Sequence, residues 1–305
     1  MTPFRTSNRS DNRGAAILMA LAALMLLSAS IIVWASYIRH TLAVSGESYN
    51  DTEARAMAHS GIALAVHPLV NKETPALMIE AENDPGFRVK MISEGAKLNI
   101  NFLLSGEDPV KLDLFKRWLE SRGIEFQERE RMVDCMLDWL DADNVKRPNG
   151  EEDSAGYHPP NRGQFLSVEE IAEVAGTGPL TSQPGWKDDL TVDSKGPIAL
   201  ASADYTILRL LPGVGDAAIG RFLQWRRGPD GVDGTPDDPP IQKLEQVQGF
   251  LDLNQTQWTA LAPLVVLNDN TWQIVSEGWA GKVVRQVGVV VLKEGQSPKI
   301  LRWKE

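Results

Sequence analysis

Arg13-Gly14 is followed at once by AAILMALAALMLLSASIIVWASYI, residues Ala15 to Ile38, a run without a single charged side chain. As a helix this run spans roughly 36 Å at about 1.5 Å per residue, enough to cross a bilayer core of about 30 Å. Arg5, Arg9 and Arg13 precede it against one acid, Asp11. That imbalance holds the N-terminus on the cytoplasmic side and sends the remainder across. A cleaved secretory signal carries a shorter apolar stretch and a small-x-small site behind it, whereas a plain signal anchor fits the length.

The helical pattern continues past the apolar run. Between Thr52 and Val70, the residues Ala54, Ala58, Gly61 and Ala65 recur every three or four positions as a stripe of small side chains suited to close helix packing. His67-Pro68 ends the pattern. His40, His59 and His67 along this segment have no carboxylate or cysteine set at metal spacing around them and read as surface or core histidines.

Behind this helix lies an acidic body. The 305 residues carry a formal charge of -10, with a pI near 5.0 and 43% hydrophobic residues, enough for a sizeable core. An acidic surface argues against a groove that tracks phosphates. The one cysteine, Cys135, excludes an intrachain disulfide; its place in a helical apolar pattern makes it a small buried hydrophobe. No Ser, Cys or His sits in a nucleophile motif, which points away from an enzyme.

Phe87 to Ser93 alternates apolar and polar residues and predicts a strand behind a polar linker at Asn83-Asp84-Pro85-Gly86. Lys97 to Asn101 alternates again across a Glu94-Gly95 turn, an expected hairpin partner, with the Asn side chains capping the next turn. From Pro109 to about Pro263 the period becomes helical, with a capping box at Ser167-Val-Glu-Glu170 and an echo at Lys243 to Gly249. Beyond it, Trp272 to Glu277, Lys282 to Leu292 and Lys299 to Trp303 return to a period of two. Strands near residue 87 and near residue 303 with helices between them predict an α+β fold.

Two loops concentrate oxygen ligands. The first holds Asp138, Asp141, Asp143 and Asn144, then Glu151, Glu152 and Asp153 beyond a Pro/Gly-broken turn. The second, Gly228 to Asp238, offers Asp230, Asp233, Asp237 and Asp238 between glycines. Calcium takes six to eight oxygens in flexible geometry, so both loops are candidate calcium sites, although neither has EF-hand spacing and solvated acidic loops without metal are common. Leu210-Leu-Pro-Gly-Val-Gly215 looks like a helix-hairpin-helix turn, but Asp216 stands where a phosphate-binding version carries a basic residue.

The leader ending in Gly14, followed directly by the apolar helix, resembles the processing signal of type IV pilins and pseudopilins. That resemblance implies a prepilin peptidase that cuts after Gly14 and methylates Ala15. Family members usually carry a Glu as the fifth mature residue; here Met19 stands there, which within the family resembles the K-type minor pseudopilin of the type II secretion system. Ala96 to Asn101, Asp138 to Asp143 and Tyr157 resemble further stretches of that family. The implied organisation is a leader over 1–14, a transmembrane helix over 15–38 and its periplasmic half over 39–71. First strands of a pilin-like head come next over 85–104, then an inserted helical domain over 109–263 and last strands over 270–303. The long N-terminal helix would pack on an antiparallel sheet, and the helical insertion would hold helix-hairpin-helix-like elements.

The resemblance further implies a single-pass protein of the bacterial inner membrane with its body in the periplasm and calcium in the helical domain. Its implied partners are I- and J-type minor pseudopilins and the major pseudopilin, without nucleic acid. Together with the I- and J-type subunits it would start and cap the pseudopilus for protein export. Met19 and the Ala54, Ala58, Gly61, Ala65 stripe are the expected assembly residues. A membrane-anchored DNA receptor built on the hairpin, or a minor pilin of a type IV pilus, remain as alternatives. Mass spectrometry of chain isolated from cells that possess the peptidase should find Ala15 as a methylated N-terminus, and Gly14→Ala should leave the leader attached.

Overall fold

The computed structural model describes residues 11–72, 74–79, 85–235 and 237–304; leader residues 1–10 and the linker positions Asn83 and Asp84 lie outside them. A single helix, α1 (Asp11–Val66), forms from the apolar run and the stripe behind it without interruption. At about 1.5 Å per residue it is roughly 84 Å long. Its apolar part is solvent-facing throughout, and among the described residues it is the one helix long and apolar enough to cross a membrane. The helix stops at Val66, short of the residue 71 boundary, because Pro68 supplies no amide hydrogen. Lys293 closes its end by donating to the carbonyls of Ala65 (2.8 Å) and Val70.

The chain then makes β1 (Met78–Ile79) and β2 (Gly86–Ser93). The expected hairpin partner of β2 is not what forms. Lys97 lies between a short 3-10 turn and β3 (Leu98–Asn99), which pairs in parallel with β4 (Leu190–Thr191), and Ile100 already opens a helix. Asn99 caps that helix, α2 (Ile100–Leu104), by accepting the Phe102 amide at 3.0 Å. Asn101 instead clamps the Phe165 backbone through both its amide nitrogen and oxygen.

The insertion continues through α3 (Pro109–Ser121), started by Asp108 on the Val110 amide, and α4 (Phe126–Leu140). Short helices come after it: α5 (Gly178–Thr181), α6 (Tyr205–Leu208), α7 (Asp216–Arg226), α8 (Leu244–Phe250) and α9 (Gln255–Leu261). The parallel pair β5 (Ile198–Ala199) and β6 (Val265–Val266) ties later parts of the insertion together. The predicted Ser167 capping box is absent: the segment is a 3-10 turn, and Glu170 turns inward to Trp139 and to the Leu166 amide. The segment echoed at Lys243 runs one residue past Gly249, to Phe250. Leu98 to Val265 share one apolar core centred on Phe115, Trp118, Met132, Met136 and Phe222.

The last three segments are β7 (Thr271–Ala280), β8 (Val283–Leu292) and β9 (Lys299–Lys304). They complete an antiparallel sheet of order β1-β2-β7-β8-β9, in which β2 pairs with β7 across the whole insertion rather than with its sequence neighbour. A second, smaller core forms where α1 lies on this sheet: Ala58, Ile62 and Ala65 against Ile274, Val287, Val289 and Val291. The architecture is thus the α+β, pilin-like arrangement of a long helix on an antiparallel sheet, with the helical segment inserted between β2 and β7.

Small residues set the approach of helix to sheet. A Cβ on Gly278 would sit 2.2 Å from the Ala54 carbonyl and 2.3 Å from the Ala58 amide. A Cβ on Gly61 would sit 2.3 Å from Ser276 Oγ. Ala54, Ala58 and Ala65 are fully buried. This corrects the assembly role expected of the stripe: Ala54, Ala58, Gly61 and Ala65 face the protein's own sheet and are already covered. Gly278→Val should therefore destabilise the head by about 1–3 kcal/mol or more, read as a lower thermal midpoint of the full chain in detergent, whereas Gly46→Val, with open space around its Cα, should leave the midpoint unchanged.

Candidate metal centre and assembly helix

The first acidic loop hangs from the end of α4. Asp138 occupies the last helical turn and is fully buried, and Asp141 is the C-terminal cap. Glu152 returns from the loop, 7% exposed, with neither carboxylate oxygen bonded. One oxygen from each of Asp138, Asp141 and Glu152 lies within 4.8 Å of the other two. Asp141 Oδ1 is likewise buried without a partner. An unpaired buried carboxylate is costly, and burial, followed by the charges of Asp138, Asp141 and Asp143, pushes the Glu152 carboxyl above its ordinary range.

Two features of this loop carried no signal in the sequence. Gly150 is one: a Cβ there would lie 1.7 Å from Asp138 Oδ2, so the loop backbone seats directly on the carboxylate. Arg147 is the other. Its Nη1 donates to Asp138 Oδ1 at 2.6 Å and to Asp141 Oδ2, and its Nη2 donates to Glu107 at 2.7 Å. Burial opposes the Arg147 charge, and bonds to Asp141, Asp138 and Glu107 outweigh that, so its pKa rises further above the ordinary arginine value.

The remaining predicted ligands are elsewhere. Asp143 accepts the Val145 amide in a local turn, Glu151 pairs with Lys146 at 3.1 Å, and Asp153 contacts His158 at 2.6 Å. Asn144 is exposed and outside the cluster. The geometry thus reduces seven candidates to three converging carboxylates. Cys135 is buried beneath the loop with its Sγ 3.6 Å from the Asn149 carbonyl, and burial raises its pKa. Tyr157 packs 5.7 Å from Trp139 and its hydroxyl accepts the Ala175 amide.

The second loop joins α7 to α8. Asp230, Asp237 and Asp238 converge within 4.8 Å, and Asp238 Oδ1 is buried without a partner. Asp238 Oδ2 accepts the Gly234 amide at 2.6 Å and Asp237 accepts the Asp230 amide at 3.2 Å, which closes the loop on itself. Asp233, expected among the ligands, points away. It accepts from Arg226 through both oxygens and from Arg227, while the buried Arg226 also donates to the Leu200 and Ala203 carbonyls. Asp233 is the bolt that fastens the loop to the insertion.

The hairpin at Leu210 to Gly215 precedes α7, and its Asp216 pairs with Arg209 at 3.6 Å. Arg221 bonds Asp252 and Arg226 and Arg227 bond Asp233, so the arginines nearest the hairpin are neutralised by carboxylates. Gly14, Ala15 and Met19 lie on the exposed first turns of α1.

Residues 96–183, which hold Asn99, α4 and the first acidic cluster, match the family model described as type II secretion system, protein K. Among solved structures, the chain is similar in fold to a chain of the crystal structure of the GspK-GspI-GspJ complex from the enterotoxigenic Escherichia coli type 2 secretion system. The identity is 14%, with 88% of this chain and 98% of that chain covered and a TM-score of 0.59. No curated protein sequence matches. The protein K match covers part of the helical insertion and the structural likeness extends to helix and sheet, so insertion and pilin-like frame belong to one arrangement.

The Asp233 bolt has a definite pH dependence. Burial would raise its pKa, but Arg226 and Arg227 hold it below the ordinary 3.8. A depressed folded pKa contributes stability that is present above 3.8 and is lost as pH falls through the folded value. Asp233→Asn should lower the thermal midpoint at pH 7, and its difference from wild type should shrink as pH falls below about 3.8 on a series of melts.

Proposed function

We propose that this chain is a minor pseudopilin of a type II secretion system, which joins I- and J-type subunits in the complex that starts and caps the pseudopilus. The observation that carries this reading is the placement of a protein K insertion within a pilin-like head on one uninterrupted apolar helix. The helix anchors the chain in the inner membrane as a single pass, and the head works in the periplasm. The role is structural and not enzymatic. Processing after Gly14 by the prepilin peptidase releases Ala15 as the first residue of the mature chain.

Calcium fits the first cluster, because Glu152 and Asp141 hold buried oxygens that no group among the described residues satisfies. Asp138, Asp141 and Glu152 would hold it, and Asp230, Asp237 and Asp238 would hold a second ion. Bound there, the ion supplies positive charge that lets clustered carboxylates stay buried. DNA binding is disfavoured by the paired arginines of α7 and the charge of -10.

Since the inner stripe is covered by the sheet, helix contacts with partner subunits fall on the opposite face. Leu42, Tyr49, Ala56 and Ala63 recur at seven-residue spacing there and are all exposed. Met19 leaves this subunit without the charge that the family uses toward a neighbour above, which suits a subunit at the tip. Ala56→Trp should abolish co-purification with the I- and J-type subunits while the thermal midpoint of the isolated chain stays unchanged. Retention of both partners by this variant would remove the outward face from the interface, and failure of the wild-type chain to capture either subunit would remove the function itself.

A further inference from the structure

Three carboxylates converge in the first cluster, and one guanidinium faces them. Arg147 Nη1 spends its bonds on Asp138 and Asp141, the two carboxylates that would also serve an ion. Glu152 is left with both oxygens unpartnered at 7% exposure, aimed into the same space. A divalent ion among these oxygens would stand within a few ångströms of the guanidinium, where like charges repel strongly in a site shielded from water.

Building on the calcium reading of this cluster, we propose that Arg147 is an internal counter-ion of the site, and that a divalent cation binds by exchange with it. The local geometry gives the guanidinium somewhere to go. Its other amine already holds Glu107, a carboxylate 57% exposed at the joint between α2 and α3. The backbone need not move, because the Arg147 amide contacts Asp138 from a loop seated on that carboxylate by Gly150. The side chain swings outward from Asp138 and Asp141 and keeps Glu107. Loss of the ion then returns the guanidinium to a cluster that would otherwise repel itself, so the loop stays folded in both states. Affinity for the ion is correspondingly held below what three carboxylates alone would provide.

The test uses the full chain in detergent, with Asp238→Asn in every sample to silence the second loop, and calorimetric titration with calcium chloride. Arg147→Gln should bind calcium at least about tenfold more tightly than its parent, the lower end of what a close charge pair contributes. Arg147→Lys, which keeps a charge but cannot bridge two carboxylates, should fall between them. Equal or weaker binding by a folded Arg147→Gln would overturn the exchange while leaving the calcium reading in place. Absence of binding in parent and variants alike would overturn both. Should Arg147→Gln fail to fold without calcium, side-chain NMR of the parent decides. Its Arg147 guanidinium should rotate slowly without calcium and faster at saturation, when only the exposed Glu107 still holds it, and a signal unmoved by saturating calcium would refute the exchange.

Discussion

The approach of α1 to β7 is the constraint that governs the head. Gly278 admits the helix backbone at Ala54 and Ala58, and Gly61 admits Ser276 from the other side. With no side-chain volume between helix and strand, the apolar layer beside them is left to Ile62, Ile274 and the valines of β8. The head is therefore held close on a helix whose other half is long and apolar enough to cross a membrane. Lys293 at the helix terminus and Arg285 on Asp51 add fixed points along the same contact.

A sheet held this firmly by one helix can accept a long insertion between β2 and β7, because the insertion has its own core and adds nothing to that layer. The two acidic clusters lie within the insertion, each at a helix exit. Each loop holds an arginine, bonded to the cluster's own Asp138 and Asp141 in the first and to Asp233 beside the cluster in the second, and the two arginines do different work. Arg226 is buried and bonded to backbone carbonyls as well as to Asp233, which makes it a permanent fastening. Arg147 touches only carboxylates with its side chain, one of them exposed, which makes it exchangeable. The protein thus combines a fixed and a movable counter-charge in loops of similar composition.

Much of this was legible in the residue pattern. The uncharged run from Ala15 to Ile38 predicts a helix long and apolar enough to span a bilayer, and such a helix forms. The period-two segments near the C-terminus mark strands, most plainly β7, whose buried residues alternate at Ile274, Ser276, Gly278 and Ala280, and the dense carboxylates mark the two loops. Tertiary structure alone decided the partners. Lys97 to Asn101 has the alternation of a strand, yet β2 takes β7 as its neighbour, since pairing depends on which edge the fold presents. Of the acids in the first loop, only those that the turn folds inward converge, and Asp233 looks like its neighbours in sequence while its side chain points to the opposite side. The small-residue stripe announced a close contact without saying with what: composition encodes how near a surface can come, and only the folded chain settles that the protein's own sheet comes nearest.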